Sequence, residues 1–361
     1  ILKKRGEQDV KKILLDENLN FYRANLHCHT TVSDGRKTPE DIKKYYMEHG
    51  YSVVAYTDHD VFIPHNDLTD DKFVALNAME ISPTANKPYS SRVGLCHFCI
   101  IAKDKNNKTD PFFRKWAYTG EFTPNWGDVS IWLDRVDTDM TAPDYPMSYD
   151  PDVISNIMKE AHEKGFFVTY NHPTWSREFY PRYSKYSGMD AMEIHNRGCV
   201  IDGFDEDNGH CYDDLLLQGK KIFAVATDDN HNHHPDDDPK CDSFGGATVI
   251  NALELTYEAI VSALEAGNFY ATTGSYEHVG PEIKSIVWEN GKVTIKTSPV
   301  RSISFITATR ASRSAFGNQA NPLSGAAFEP EDGEDWFRFM IVDDMGYKAF
   351  SNAYFPADLE K

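Results

Sequence analysis

Apolar, β-rich runs alternate with helical patterns from about residue 20 to residue 275. This alternation restricts the chain to an α/β architecture with a largely parallel sheet or barrel. Thr38-Pro39-Glu40-Asp41 supplies an N-cap, a first-turn proline and early acids, so a helix opens there and stops at Gly50 before a strand over 51–56. Asp150-Pro151 opens another, with Ile154, Ile157, Met158 and Ala161 on one face and Gly165 as its stop, feeding a strand over 166–170. The pattern predicts further strands over 190–194 and 221–226, and helices over 212–218 and 256–266. In parallel α/β folds catalytic groups gather at the carboxyl ends of strands, and the candidate ligands below all fall at or just past such an end.

The chain of 361 residues is long enough for a large core. The reading is a large domain over 1–280 and a small one over 281–361. Residues 104–149 break the rhythm, carrying Trp116, Trp126, Trp132 and several prolines. Too aromatic for a linker, this stretch is either an insertion over the mouth of the core or a peripheral packing elaboration. After Gly280-Pro281, short alternating runs over 283–288, 292–297, 303–309, 336–342 and 349–354 predict a small antiparallel β-domain without a ligand cluster, suited to packing or oligomerisation.

A formal net charge of -19 argues against a surface that wraps duplex nucleic acid, whose affinity comes largely from Lys and Arg displacing counterions. Small substrates fit better than long duplexes. No run approaches the roughly 18 apolar residues of a membrane span. Ile1-Leu2-Lys3-Lys4-Arg5 leads into polar sequence, so the expectation is a cytoplasmic protein without a membrane partner. The six cysteines are scattered, which fits reduced thiols better than a disulfide framework. Cys96 and Cys99 spell C-x-x-C, but three positions apart on a strand they face opposite ways and suit one metal poorly.

His27-Cys28-His29 follows an aromatic, extended run, and the period of two sends both imidazoles to one face and Cys28 to the other. Ser33-Asp34-Gly35 and Thr57-Asp58-His59-Asp60 follow, then Glu80, His97, His172 in Asn171-His172-Pro173, and Asp228-Asp229-Asn230-His231. Any one of these histidines alone would read as structural; together they read as a metal site. Mixed imidazole and carboxylate donors suit zinc, manganese or iron rather than calcium or copper(I).

The ordered series resembles the polymerase and histidinol phosphatase (PHP) family, over about residues 20–275. The resemblance implies a distorted seven-stranded (β/α) barrel and three divalent transition metals per chain. His27, His29, Glu80 and Asp229 would hold the first, with Glu80 bridging to a second held by His97 and His172, and Asp34, His59 and His231 would hold the third. Two departures stand out. The closing run offers two acids, of which Asp229 restores the D-x-H spacing, leaving Asp228 as the alternative ligand. His195, in Glu193-Ile194-His195-Asn196, reads as outer support for the metal-bound groups.

The leading expectation is hydrolysis of a small phosphorylated substrate (a nucleotide, sugar phosphate or short oligonucleotide) through a metal-activated hydroxide. Glu80 stands at its centre; Asp58, Asp60 or His195 would shuttle the proton. Arg177 and Arg197 are candidate phosphate clamps, with ordinary surface arginines as the alternative. The rival functions are hydrolysis of another ester, carbamate or amide, and a non-catalytic metal-binding module. His233-His234 with Asp236-Asp237-Asp238 reads as a solvated loop with loose metal affinity at most.

Overall fold

A computed structural model describes residues 10–85, 94–121, 127–204 and 207–361. Trp126 therefore lies outside the described residues. The strands, in chain order, are β1 (Lys11–Leu15), β2 (Asn20–Asn25), β3 (Val53–Tyr56), β4 (Val74–Ile81), β5 (Phe98–Ala102), β6 (Phe166–Tyr170), β7 (Ala191–Asn196), β8 (Phe223–Thr227), β9 (Gly246–Ala252) and β10 (Phe269–Thr273). They continue as β11 (Ile283–Glu289), β12 (Lys292–Val300), β13 (Ser302–Thr307), β14 (Arg313–Phe316), β15 (Leu323–Phe328), β16 (Phe337–Val342) and β17 (Lys348–Ser351).

The fold is α/β, with a large mixed sheet of 13 strands and a separate antiparallel sheet of four. The order β2-β3-β4-β5-β6-β7-β8 forms one continuous stretch of the large sheet. Most of its neighbours are parallel, but β5 runs antiparallel to both β4 and β6. Among the described residues β8 and β9 meet through a side chain: the Thr248 hydroxyl accepts from Ala226 N at 3.2 Å and donates to Ala226 O at 3.0 Å.

The expected caps form. Thr38 accepts from Asp41 N ahead of helix Pro39–Glu48, and Asp150 accepts from Asp152 N and Val153 N ahead of helix Pro151–Glu163. The second helix buries Ile154, Ile157, Met158 and Ala161 against the sheet, the i, i+3, i+4, i+7 stripe of an amphipathic helix. Helix Tyr257–Ala266 starts at a Thr256 cap and ends at Gly267, whose φ of 70° a residue with a Cβ rarely adopts. None of the described helices is long and apolar enough to cross a membrane.

Chain pairing crosses residue 280 in two places. β1 joins β11 in the four-stranded sheet β1-β11-β12-β15, and β17 joins β10 in the large sheet. Trp288, Ile295, Phe305, Phe337 and Phe339 fill the core of the C-terminal region. Alternating exposure along β12 marks a sheet with one face in solvent. Arg338 binds Asp213 through two hydrogen bonds of 2.7 and 2.9 Å, tying β16 to helix Gly209–Leu217.

The described residues of 104–149 include two short helical pieces, Lys115–Thr119 and Val129–Arg135. Phe113, Trp116, Tyr118 and Val129 pack on Val32, Val61 and Ile63, so this stretch grips the loops that follow β2 and β3. Arg114 pairs with Asp60, Tyr118 Oη accepts from Phe62 N at 3.0 Å, and Gly127 N donates to Ser33 O at 2.9 Å.

Candidate metal centre

All nine sequence-derived ligand candidates converge at one edge of the large sheet, in four overlapping groups. These are His29, Asp34, His59 and His231; His27, Glu80 and His172; His27, His29 and Asp229; and His59, Glu80 and His97. His27 and His29 lie just beyond β2, His59 beyond β3, His172 beyond β6 and Asp229 and His231 beyond β8. Cys28 turns the other way, into an apolar cluster with Tyr46 and Phe244.

His97 corrects the expectation that every ligand follows a strand. It precedes β5, and reaches the common edge because β5 is reversed relative to its neighbours. Cys96 enters the main core, whereas Cys99 Sγ lies 3.1 Å from Asn171 Nδ2, so the two thiols do face apart.

Glu80, fully buried near the end of β4, is the hub. Its oxygens lie 3.2 Å from His27 Nε2, 3.5 Å from His29 Nε2, 2.9 Å from His59 Nδ1, 3.0 Å from His97 Nδ1 and 3.3 Å from His172 Nε2. Burial alone would raise its carboxyl, but the facing His97, His27 and His59 rings hold it well below the ordinary range. Asp229, partly buried, is held well below the ordinary range by His27 and His29. Burial, reinforced by His59 and His231, lowers His29 to about 3. Against the effect of burial, Asp229 raises His27, and Asp34 and Glu80 raise His59 to about 10, so a cation would displace protons from these two rings on binding.

The donor spacings fit a cation. His27 Nε2, His29 Nε2 and Asp229 Oδ1 stand 3.1, 3.1 and 3.2 Å apart in pairs. Four donors about 2.0–2.1 Å from one zinc-sized ion would be about 3.3 Å apart. Two atoms in the centre, His29 Nδ1 and Glu80 Oε2, are buried without a hydrogen bond of proper geometry, a costly state unless another partner serves them.

Tautomers are set from behind. Glu193 accepts from His27 Nδ1 at 2.7 Å, which leaves Nε2, 3.2 Å from Glu80 and from Asp229, as the nitrogen that would serve a cation. The same carboxylate accepts from Thr227 Oγ1 at 2.6 Å, His172 N at 2.8 Å and Asn196 Nδ2 at 2.9 Å. His231 Nδ1 donates to Asp229 O at 3.0 Å, leaving its Nε2 3.5 Å from Asp34 Oδ1. Outer support of this kind comes from Glu193, two residues before His195. His195 is buried in β7, beyond a register shift, and is absent from the ligand groups. Asn171 Nδ2 adds a 2.8 Å bond to Glu80 Oε1.

The acid pair separates. Asp228 accepts from Phe244 N, Gly245 N, Gly246 N and Tyr46 Oη at 2.7–2.9 Å, while burial pushes its carboxyl up to about 6. Asp229 faces the imidazoles. It does so at a left-handed φ of 52°.

The other candidates lie outside the ligand groups. Asp58 is engaged by Thr30 N, Thr30 Oγ1, Ser33 N and Ser33 Oγ at 2.7–3.0 Å, and Asp60 by Arg114 and Ser82 N, so both carboxylates brace loops. Arg197 donates its Nε to Cys241 O at 3.3 Å, and Arg177 is exposed in a turn with φ 58°. Neither lines the cleft of about 290 Å³ beside the centre, and nor do the described residues of 104–149. That cleft is walled by Trp175, Ile201, His233 and Lys240 among others, Trp175 lying against His172 and His97 with centroids 4.9 and 5.6 Å apart. The loop from His172 to Trp175 is anchored by buried Glu178, which accepts from Tyr149, Tyr170 and Tyr186.

Structural neighbours of the chain include a protein described as containing a predicted PHP-like metal-dependent phosphoesterase. That protein is a two-domain one from Bacteroides vulgatus containing a predicted phosphoesterase of this kind, 13% identical, matched over 98% of this chain and 99% of its own with a TM-score of 0.41. An amidohydrolase from Chromobacterium violaceum with bound sulfate is 14% identical over 60% of this chain and 93% of its own, with a TM-score of 0.36. No protein-family model and no curated protein matches the chain.

Proposed function

We propose that the chain is a metal-dependent hydrolase acting on a small phosphorylated substrate, with up to three divalent cations (zinc, manganese or iron) among the nine ligands. The observation that carries this reading is Glu80: one buried carboxylate meets five imidazoles, and further carboxylates close the outer groups. Bound there, divalent cations supply Lewis acidity toward a phosphoryl oxygen and lower the pKa of a water.

The chain's own residues do the positioning. Glu193 fixes the acceptor face of His27, and Asp229 O does the same for His231. Asp58 clamps the turn that carries Asp34 by binding its Thr30 and Ser33 groups. Arg114 fixes the loop of His59 through Asp60. Trp175 shields one flank of His97 and His172, and the small cleft volume favours a substrate that enters whole over a long duplex.

Turnover of p-nitrophenyl phosphate, bis-p-nitrophenyl phosphate and an aryl carbamate, compared after manganese or zinc loading, tests the reading. Phosphate-ester hydrolysis that is lost in Glu80→Gln supports it. Exclusive carbamate hydrolysis moves the function to carbonyl chemistry, and inactivity toward all three in a fully loaded protein leaves a binding module.

A further inference from the structure

Two histidines stand side by side at the cleft with opposite hydrogen-bonding faces. His231 and His233 stack with centroids 5.9 Å apart and planes 18° apart. His231 gives its Nδ1 proton to a carbonyl and turns a lone pair inward. His233 is the reverse: Arg36 Nε donates to its Nδ1 at 3.1 Å. A guanidinium has no acceptor, so His233 Nδ1 holds the lone pair and the proton of the neutral ring sits on Nε2. A protonated nitrogen cannot ligate a cation, in keeping with the absence of His233 from the four ligand groups. It can donate to an anion.

We propose that His233 is a substrate-binding residue whose Nε2–H, with the Lys240 ammonium, receives a phosphoryl oxygen in the cleft beside the metal centre. Both side chains line that cleft together with Trp175, Asp229 and His231. Arg36 is the positioning residue. Its backbone N donates to His231 O at 2.9 Å, which ties the turn after Asp34 to the loop bearing both histidines. That turn is tight: a Cβ on Gly35 would stand 2.5 Å from His29 O. The inference rests on the phosphoesterase reading for the identity of the oxyanion, and it turns His233 from a solvated loop residue into part of the substrate site.

The test is calorimetric titration of inorganic phosphate into the metal-loaded full chain, with metal content measured on the same samples. His233→Ala should weaken phosphate binding about 10-fold, as expected for losing one bond to a charged group. His233→Gln, whose amide N–H can occupy the place of Nε2–H, should recover most of that loss. Arg36→Ala should weaken binding less, and adding it to His233→Ala should change nothing further. On a substrate, KM should rise with kcat nearly kept. Unchanged phosphate affinity in His233→Ala overturns the proposal, as does loss of metal with loss of phosphate, which would make His233 a ligand. A wild-type protein that binds no phosphate overturns it too. Phosphate binding that depends on His233 in a protein that hydrolyses no phosphate ester would sink the phosphoesterase reading and leave this one standing.

Discussion

Replacing Glu193 by Gln keeps the side-chain shape and exchanges one acceptor oxygen for a donor amide. The Glu193 carboxylate accepts from four donors, His27 Nδ1 and Thr227 Oγ1 on one oxygen, His172 N and Asn196 Nδ2 on the other. The backbone N–H of His172 cannot reverse its polarity, and Asn196 is fixed by accepting from Cys199 N at 3.0 Å. Thr227 and His27 can both reverse. The new amide therefore turns toward them, and His27 accepts on Nδ1 and carries its proton on Nε2, where Glu80 and Asp229 lie at 3.2 Å. The lone pair offered to a cation disappears. Loss of such an outer partner costs about 10–100-fold in metal affinity, or about 1.4–2.8 kcal/mol. Competition against a chromophoric chelator at neutral pH measures this, with Glu193→Asp as the charge-preserving control and thermal unfolding of the metal-free protein to separate folding from binding. A folded Glu193→Gln protein that takes up metal as tightly as wild type would refute the tautomer argument.

Asp228→Asn should lower the stability of the metal-free protein by about 2–4 kcal/mol in urea unfolding, because an amide would face three backbone N–H groups, whereas Asp229→Asn should lower metal content in elemental analysis with stability nearly kept. Arg114→Leu should cost about 3–5 kcal/mol by leaving Asp60 buried and unpaired, and the double replacement Arg114→Leu with Asp60→Leu should recover much of it. Burial pushes Asp110 up to about 6, above its unfolded value, so the folded state binds the extra proton and Asp110 disfavours folding progressively as pH rises from about 4 to about 6. Asp110→Asn should remove on the order of 3 kcal/mol of that decline, seen as a flatter stability–pH profile over the same window.

Much of the centre was legible because strand ends carry it: a period of two predicts the shared face of His27 and His29, and residues just past β3, β6 and β8 reach the same edge. Direction was not legible. A buried antiparallel strand such as β5 has the same apolar run as a parallel one, so His97 was placed at the wrong end of it. Short exposed strands β14 and β15 left no signal, since their side chains bury little. The roles of acids depend on partners far along the chain. Asp58 and Asp60 sit beside a ligand in sequence, yet their partners are Thr30, Ser33 and Arg114. His195 drew attention away from Glu193, although an acid set between Met192 and Ile194 inside a strand was the better signal of a buried partner.

The pairing of β1 with β11 makes the first described strand of the chain wait for residues made much later. Lys11 lies opposite Glu289, across most of the chain. At ribosomal speeds of about 5–20 residues per second, that partner emerges on the order of 14–60 s after Lys11 does. During this interval Ile13-Leu14-Leu15 has no ladder to join, while the ligand-bearing strands β2 to β8 can already associate among themselves. Until β11 is made, this segment is an unpaired, sticky strand, and chaperone binding would matter most in that interval.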